Sequence, residues 1–122
     1  MKRCLVVDDS PTVRKILCRI VSSMPFEVQE AGDGREALER CREAMPDVIL
    51  LDWNMPVMDG LEFLQKLRQL DQGDRPIVIF CTTVNEVEQI SRALEAGADE
   101  YIMKPFDEQL LRIKFEQTGV LS

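Results

Sequence analysis

The chain has 122 residues, enough for one ordinary domain with a layered core and too few for two. A hydrophobic fraction of 45% argues against disorder. A net charge of −7, with no local basic patch, argues against binding nucleic acid or anionic lipid.

The elements alternate along the chain. Cys4 to Val7 is a short β-rich run. Ser10-Pro11 reads as an N-cap followed by a proline in the first turn, opening a helix to about Ser23. Phe26 to Ala31 is a second strand. Gly32-Asp33-Gly34 is a turn, and a helix follows from Arg35 to about Ala44. Val48 to Leu51 is a continuous apolar strand. Gly60 precedes a helix from Leu61 to about Leu70, stopped by Gly73 and Pro76. Ile77 to Cys81 is the fourth strand. Glu86 to Ala96 is a helix with Gly97 as its stop. A short strand lies within Asp99 to Met103, and a last helix runs from Asp107 to about Gln117. The longest apolar runs are strand-length, so no membrane insertion is expected. The pattern βαβαβαβαβα with continuous apolar strands implies an α/β fold. Its parallel sheet is doubly wound, with five strands and five helices covering both faces. Nothing marks a second domain.

Four cysteines (Cys4, Cys18, Cys41, Cys81) show neither metal nor disulfide spacing, and there is no histidine to join them. Reduced, mostly buried thiols in a cytoplasmic protein are expected. Without histidine the chain also cannot itself donate a phosphoryl group from phosphohistidine.

In an open parallel sheet, ligands bind outside the carboxyl ends of the strands. Asp8 and Asp9 follow the first strand, Asp52 the third, Thr82 and Thr83 the fourth, and Lys104 the fifth. Each alone has an ordinary explanation: a helix N-terminal acid, a turn acid, a hydroxyl at a strand end, a solvated lysine. Their arrival together at one edge is what points to chemistry. Three clustered carboxylates raise one another's pKa values unless a cation sits among them, and an all-oxygen ligand set favours Mg²⁺. One carboxylate can then attack a phosphoryl group and carry it as an aspartyl phosphate, with Lys104 balancing charge.

The motifs Val7-Asp8-Asp9-Ser10, Leu51-Asp52-Trp53-Asn54-Met55-Pro56-Val57-Met58-Asp59-Gly60, Cys81-Thr82-Thr83 and Gly97 to Phe106 together resemble the receiver domains of bacterial two-component response regulators. The single-domain, CheY-like chemotaxis type is especially similar, and the likeness covers essentially the whole chain. It implies the flavodoxin-like strand order 2-1-3-4-5 and one receiver domain over residues 1–122 with no output domain. Asp52 would be the phosphoacceptor. Asp9 and Asp52 would bind Mg²⁺ directly, Asp8 through water, and the backbone carbonyl of Asn54 would complete the set. Lys104 would meet the phosphoryl oxygens, and Lys104–Pro105 would be cis. Thr82 and Tyr101 would form a switch pair, the hydroxyl drawn inward and the ring following into the vacated space.

The partners implied are a sensor histidine kinase or a histidine phosphotransfer protein, and a target protein such as a flagellar motor switch. The chain itself is expected to be a cytoplasmic monomer. A role as phosphate shuttle or sink in a phosphorelay is the alternative. A phosphohydrolase working through an aspartyl phosphate is disfavoured, because Asn54 stands where such enzymes place a second acid. Val84 is apolar where several relatives carry a polar residue, so slow loss of the phosphoryl group is expected.

Overall fold

The computed structural model describes residues 1–83 and 88–121. Five strands, β1 (Lys2–Val7), β2 (Phe26–Ala31), β3 (Val48–Asp52), β4 (Ile77–Thr82) and β5 (Glu100–Met103), alternate with five helices. The helices are α1 (Pro11–Ser22), α2 (Gly34–Glu43), α3 (Gly60–Gln69), α4 (Ile90–Glu95) and α5 (Glu108–Gln117). All pairings are parallel and the strand order is β2-β1-β3-β4-β5.

Period-two alternation splits the core into two layers. Leu5, Val7, Ile49, Leu51, Val78 and Phe80 face α2, α3 and α4. Cys4, Val6, Leu50, Ile79, Cys81 and Ile102 face α1 and α5. β3 lies between β1 and β4, and every one of its residues is buried, which explains its unbroken apolar run. No helix among the described residues is long and apolar enough to cross a membrane.

Polar side chains fix the helix starts. Ser10 caps α1 by accepting from the Val13 amide at 3.3 Å, with Pro11 in the first turn. Asp33, Asp59 and Asp107 cap α2, α3 and α5, accepting from the amides of Glu36, Glu62 and Leu110 at 2.8–2.9 Å. Each such cap is worth about 1 kcal/mol. α4 departs from the sequence expectation. The predicted start at Glu86 lies outside the described residues, and residues 88–89 form a 3-10 turn before the helix proper begins at Ile90. The residue at that junction, Gln89, makes no capping bond, so nothing sharpens the start.

Arg68 of α3 ties the α3–β4 and α4–β5 loops together. Its Nη1 donates to the carbonyls of Gly73 and Pro76, both at 2.9 Å. Its Nε and Nη2 donate to the Gly97 carbonyl at 3.1 and 2.6 Å, and Nη2 also reaches Asp99 Oδ2 at 3.1 Å. Asp99 Oδ2 accepts from the Val78 amide at 2.8 Å, linking the cluster to β4. A lysine has one compact donor head and cannot hold this fan of acceptors. Arg68→Lys is therefore expected to destabilise by about 2 kcal/mol, because partly buried carbonyls lose their donors. Urea unfolding at neutral pH measures it. An unchanged midpoint would mean that water replaces the guanidinium at no cost.

Candidate functional site: an acidic pocket closed by a lysine

β1, β3, β4 and β5 all end at one edge of the sheet, and their last residues or next neighbours build the site. Asp8 follows β1 and is only 2% exposed. Its amide donates to the Ala31 carbonyl at 3.1 Å, and its Oδ1 accepts from the Ser10 amide at 2.9 Å. The chain is thus pinned to β2 on one side and to the start of α1 on the other. Asp9, the next residue, is exposed. Asp52 closes β3 at 9% exposure, paired in register with Cys81 of β4. Asp8, Asp9 and Asp52 each present a carboxylate oxygen, and these atoms all lie within 4.8 Å of one another.

Lys104 reaches in from beyond β5. Its Nζ donates to Asp52 Oδ1 at 3.1 Å and to Asp8 Oδ2 at 3.3 Å. Its amide donates to the Thr82 carbonyl at 2.7 Å, which fixes where the stem leaves the backbone. The Lys104–Pro105 peptide is cis, as the family resemblance implied.

The electrostatics follow from this geometry. Burial lifts the Asp52 carboxyl to about 6, Lys104 pulls it back, and Asp8 and Asp9 push it up again. Sequence reasoning expected the neighbouring acids to raise the pKa, and at Asp52 they do, with burial the larger cause. Burial works against the Lys104 ammonium, but Asp52 and Asp8 outweigh it and raise its pKa overall. The donor set is all oxygen, two of the three acids are buried, and one is reluctant to ionise. Such residues fit a hard divalent cation, which would relieve the crowding of negative charge.

The raised Asp52 pKa has a consequence for stability. Below about pH 4 the carboxyl is protonated whether the chain is folded or not. Above about pH 6 it is charged in both, and only the folded state carries the cost of burying that charge. The stability linked to Asp52 is therefore full at low pH and lost as pH rises through about 6. Asp52→Asn removes the cost and also one Lys104 bond. In EDTA at pH 8 it should be the more stable protein by about 2 kcal/mol, with the gap closing toward pH 4. Urea midpoints across that range test this. A gap that widens at low pH would reverse the sign assigned to Asp52.

The other predicted residues fall as follows. Thr82 ends β4 and is fully buried, and its hydroxyl donates to the Thr83 carbonyl at 3.3 Å. Tyr101 lies on β5, opposite Phe80 in register, half-buried against the core. Lys114 Nζ sits 4.9 Å from the centre of its ring and 3.4 Å from Glu100. Asn54 is exposed, two residues beyond Asp52. Val84 lies outside the described residues. The four cysteines are free thiols, three of them buried, and burial raises all four pKa values, Cys81 to about 12.

Sequence reasoning missed Arg14. Its Nη1 donates to the Asp8 carbonyl at 2.7 Å and its Nε to Glu30 Oε1 at 3.1 Å. One available signal was its position in the first turns of α1, directly after the acid pair.

Comparison with known proteins adds family context. A family model described as the response regulator receiver domain matches residues 4–116. The chain is similar to the chemotaxis protein CheY of Halobacterium salinarum, at 40% identity over 86% of each chain. It is also similar to the phosphate regulon transcriptional regulatory protein PhoB of Escherichia coli. There the identity is 37%, over 93% of this chain and half of that one. The solved structure of the chemotaxis response regulator CheY4 of Vibrio cholerae superposes with a TM-score of 0.89 at 34% identity, covering 96% of this chain and 98% of that one.

Proposed function

The chain belongs to the response regulator receiver domain family, and from that premise we propose that Asp52 accepts a phosphoryl group from a phosphohistidine protein in a Mg²⁺-dependent reaction. The observation that carries this is the convergence of Asp8, Asp9, Asp52 and Lys104 at one sheet edge. Asp8, Asp9, Asp52 and the Asn54 backbone carbonyl would hold the ion. When bound, it would supply the positive charge that lets an anionic phosphoryl group approach an acidic pocket. A carboxylate oxygen of Asp52 then forms the new O–P bond as the N–P bond breaks, and the departing imidazole keeps the electron pair. Lys104, already on Asp52 Oδ1, turns its ammonium to the phosphoryl oxygens. Asp8 stays anchored by Ser10 and keeps the pocket's shape.

A protein donor is supported by the surface beside the pocket. A groove of about 380 Å³, lined by Val13, Ile16, Leu17, Ile20, Pro105 and Phe106, runs from α1 to Lys104. Apolar surface next to an acid cluster suits a protein partner better than a small metabolite. The output follows from Thr82 and Tyr101. A phosphoryl group on Asp52 would draw the Thr82 hydroxyl toward it, and Tyr101 would move inward, changing the surface that a target protein reads. Motility control is the setting favoured, by likeness to the chemotaxis proteins. The acidic charge and the lack of a membrane-crossing helix among the described residues fit a cytoplasmic monomer.

The test is transfer of labelled phosphate from autophosphorylated sensor histidine kinases, followed in MgCl₂ and in EDTA. Label should pass to the chain in MgCl₂ and stay on the kinase in EDTA. Equal transfer in EDTA would remove the metal from the reading. A chain left unlabelled by every kinase would remove the histidine donor.

A further inference from the structure

We propose that Arg14 is a positioning residue for the acidic pocket: by gripping the peptide between Asp8 and Asp9 it aims the Asp9 carboxylate at the cation. This rests on the Mg²⁺ reading above. Asp8 is held at its amide by Ala31, at Oδ1 by Ser10 and at Oδ2 by Lys104. Asp9 has none of these braces. It is exposed, and among the described residues its carboxylate accepts no hydrogen bond. The backbone before it sets the direction in which its Cβ leaves the chain. The Asp8 carbonyl belongs to the peptide plane that leads into Asp9, and Arg14 Nη1 holds that carbonyl at 2.7 Å.

Arg14 is itself fixed at two points. Its Nε meets Glu30 of β2 at 3.1 Å, and its side chain is only 20% exposed. The guanidinium fork thus spans from the β2 edge to the Asp8–Asp9 peptide, a reach with two defined directions that a single ammonium cannot supply. Groups that orient a metal ligand without touching the metal commonly change metal affinity by roughly 10–100-fold when removed.

Charge and position make opposite predictions here. Arg14 is a cation near an acid cluster, so its charge alone opposes Mg²⁺, and removing it would tighten binding. Its positioning role favours Mg²⁺, and removing it would weaken binding. The sign of the change therefore decides between them.

The experiment is a MgCl₂ titration of wild type, Arg14→Gln, Arg14→Lys and Glu30→Gln at constant ionic strength. It is read by Trp53 fluorescence and by the Mg²⁺-dependent rise in melting temperature, with each variant first shown to be folded in EDTA. Arg14→Gln should bind Mg²⁺ about tenfold more weakly. Arg14→Lys, which keeps the charge, should also be several-fold weaker, and Glu30→Gln should show a smaller loss in the same direction. Arg14→Gln or Arg14→Lys binding as tightly as wild type, or tighter, would overturn the positioning role and leave the metal site standing. A wild type that shows no Mg²⁺ response would overturn the metal reading and this inference with it.

Discussion

Asp52→Asn is expected to take up no phosphoryl group from acetyl phosphate in MgCl₂, under conditions in which the wild type gains one. The effect is all-or-none because an amide cannot serve as the oxygen nucleophile, while the shape of the pocket survives. The introduced amide would still occupy the end of β3 opposite Cys81, and Lys104 would keep its bond to Asp8 Oδ2. Intact-mass spectrometry reads the result directly. Acetyl phosphate needs no docking surface, so the experiment isolates the pocket from the partner. A phosphoryl mass increment that persists in Asp52→Asn would place the acceptor elsewhere. Asp8 is only 2% exposed and its carboxylate is engaged by Ser10 and Lys104, which makes it a poor substitute. Burial lifts the Asp52 carboxyl to about 6 in the metal-free pocket, so below that pH protons should compete with Mg²⁺ and the MgCl₂ needed for the reaction should rise.

Gly60→Ala should cost roughly 3–4 kcal/mol, at the upper end of what overpacking produces. An added Cβ would lie 2.5 Å from the Asp52 carbonyl oxygen and 3.1 Å from Trp53 Cα. Both contacts are backbone, and neither can swing aside as a side chain would. The Gly60 amide also donates to the Trp53 carbonyl at 2.9 Å, so the start of α3 is held tightly against the end of β3. Relief requires moving α3 away or displacing the strand that carries the acceptor. Loss of stability should therefore come with a shifted Trp53 emission and slower phosphorylation. Urea unfolding and the acetyl phosphate reaction on the same sample test both. A stable Gly60→Ala with normal phosphorylation would show that the β3–α3 turn opens without disturbing Asp52.

How much of this was legible beforehand depends on the kind of signal. β1, β3 and β4 could be read because burial on both faces leaves a nearly unbroken apolar run. Topology then brings every strand end to one edge. Asp8, Asp9, Asp52 and Lys104 were found in that way, and the structure brings them together. The strand order came from family likeness, because periodicity alone does not choose which strands pair. Arg14 and Arg68 were missed for a common reason. Their partners are chiefly backbone carbonyls, Asp8 in one case and Gly73, Pro76 and Gly97 in the other. A carbonyl is present at every residue and leaves no mark in the sequence. The caps Asp33, Asp59 and Asp107 do leave a mark, an acid just before a helix, but in Gly32-Asp33-Gly34 the glycines made it read as a turn. At α4 the described residues 88–89 form a 3-10 turn where helix was expected, and Gln89 supplies no capping side chain to mark the junction.

The pairing of Asp52 with Cys81 bears on the chemical lifetime of a modified pocket. An aspartyl phosphate is a mixed anhydride, an activated acyl group as well as a phosphoryl donor. A thiolate on the neighbouring strand could attack its carbonyl carbon, expel phosphate and leave a thioester bridging β3 and β4. Cys81 lies in register with Asp52, on the same face of the sheet. Its burial lifts the thiol to about 12, with the Asp52 and Asp8 charges adding to the effect and Lys104 opposing it. At neutral pH the thiol stays protonated, and a thiol is a far weaker nucleophile than a thiolate. The same desolvation that makes Asp52 hard to ionise would therefore keep such a self-acylating side reaction switched off.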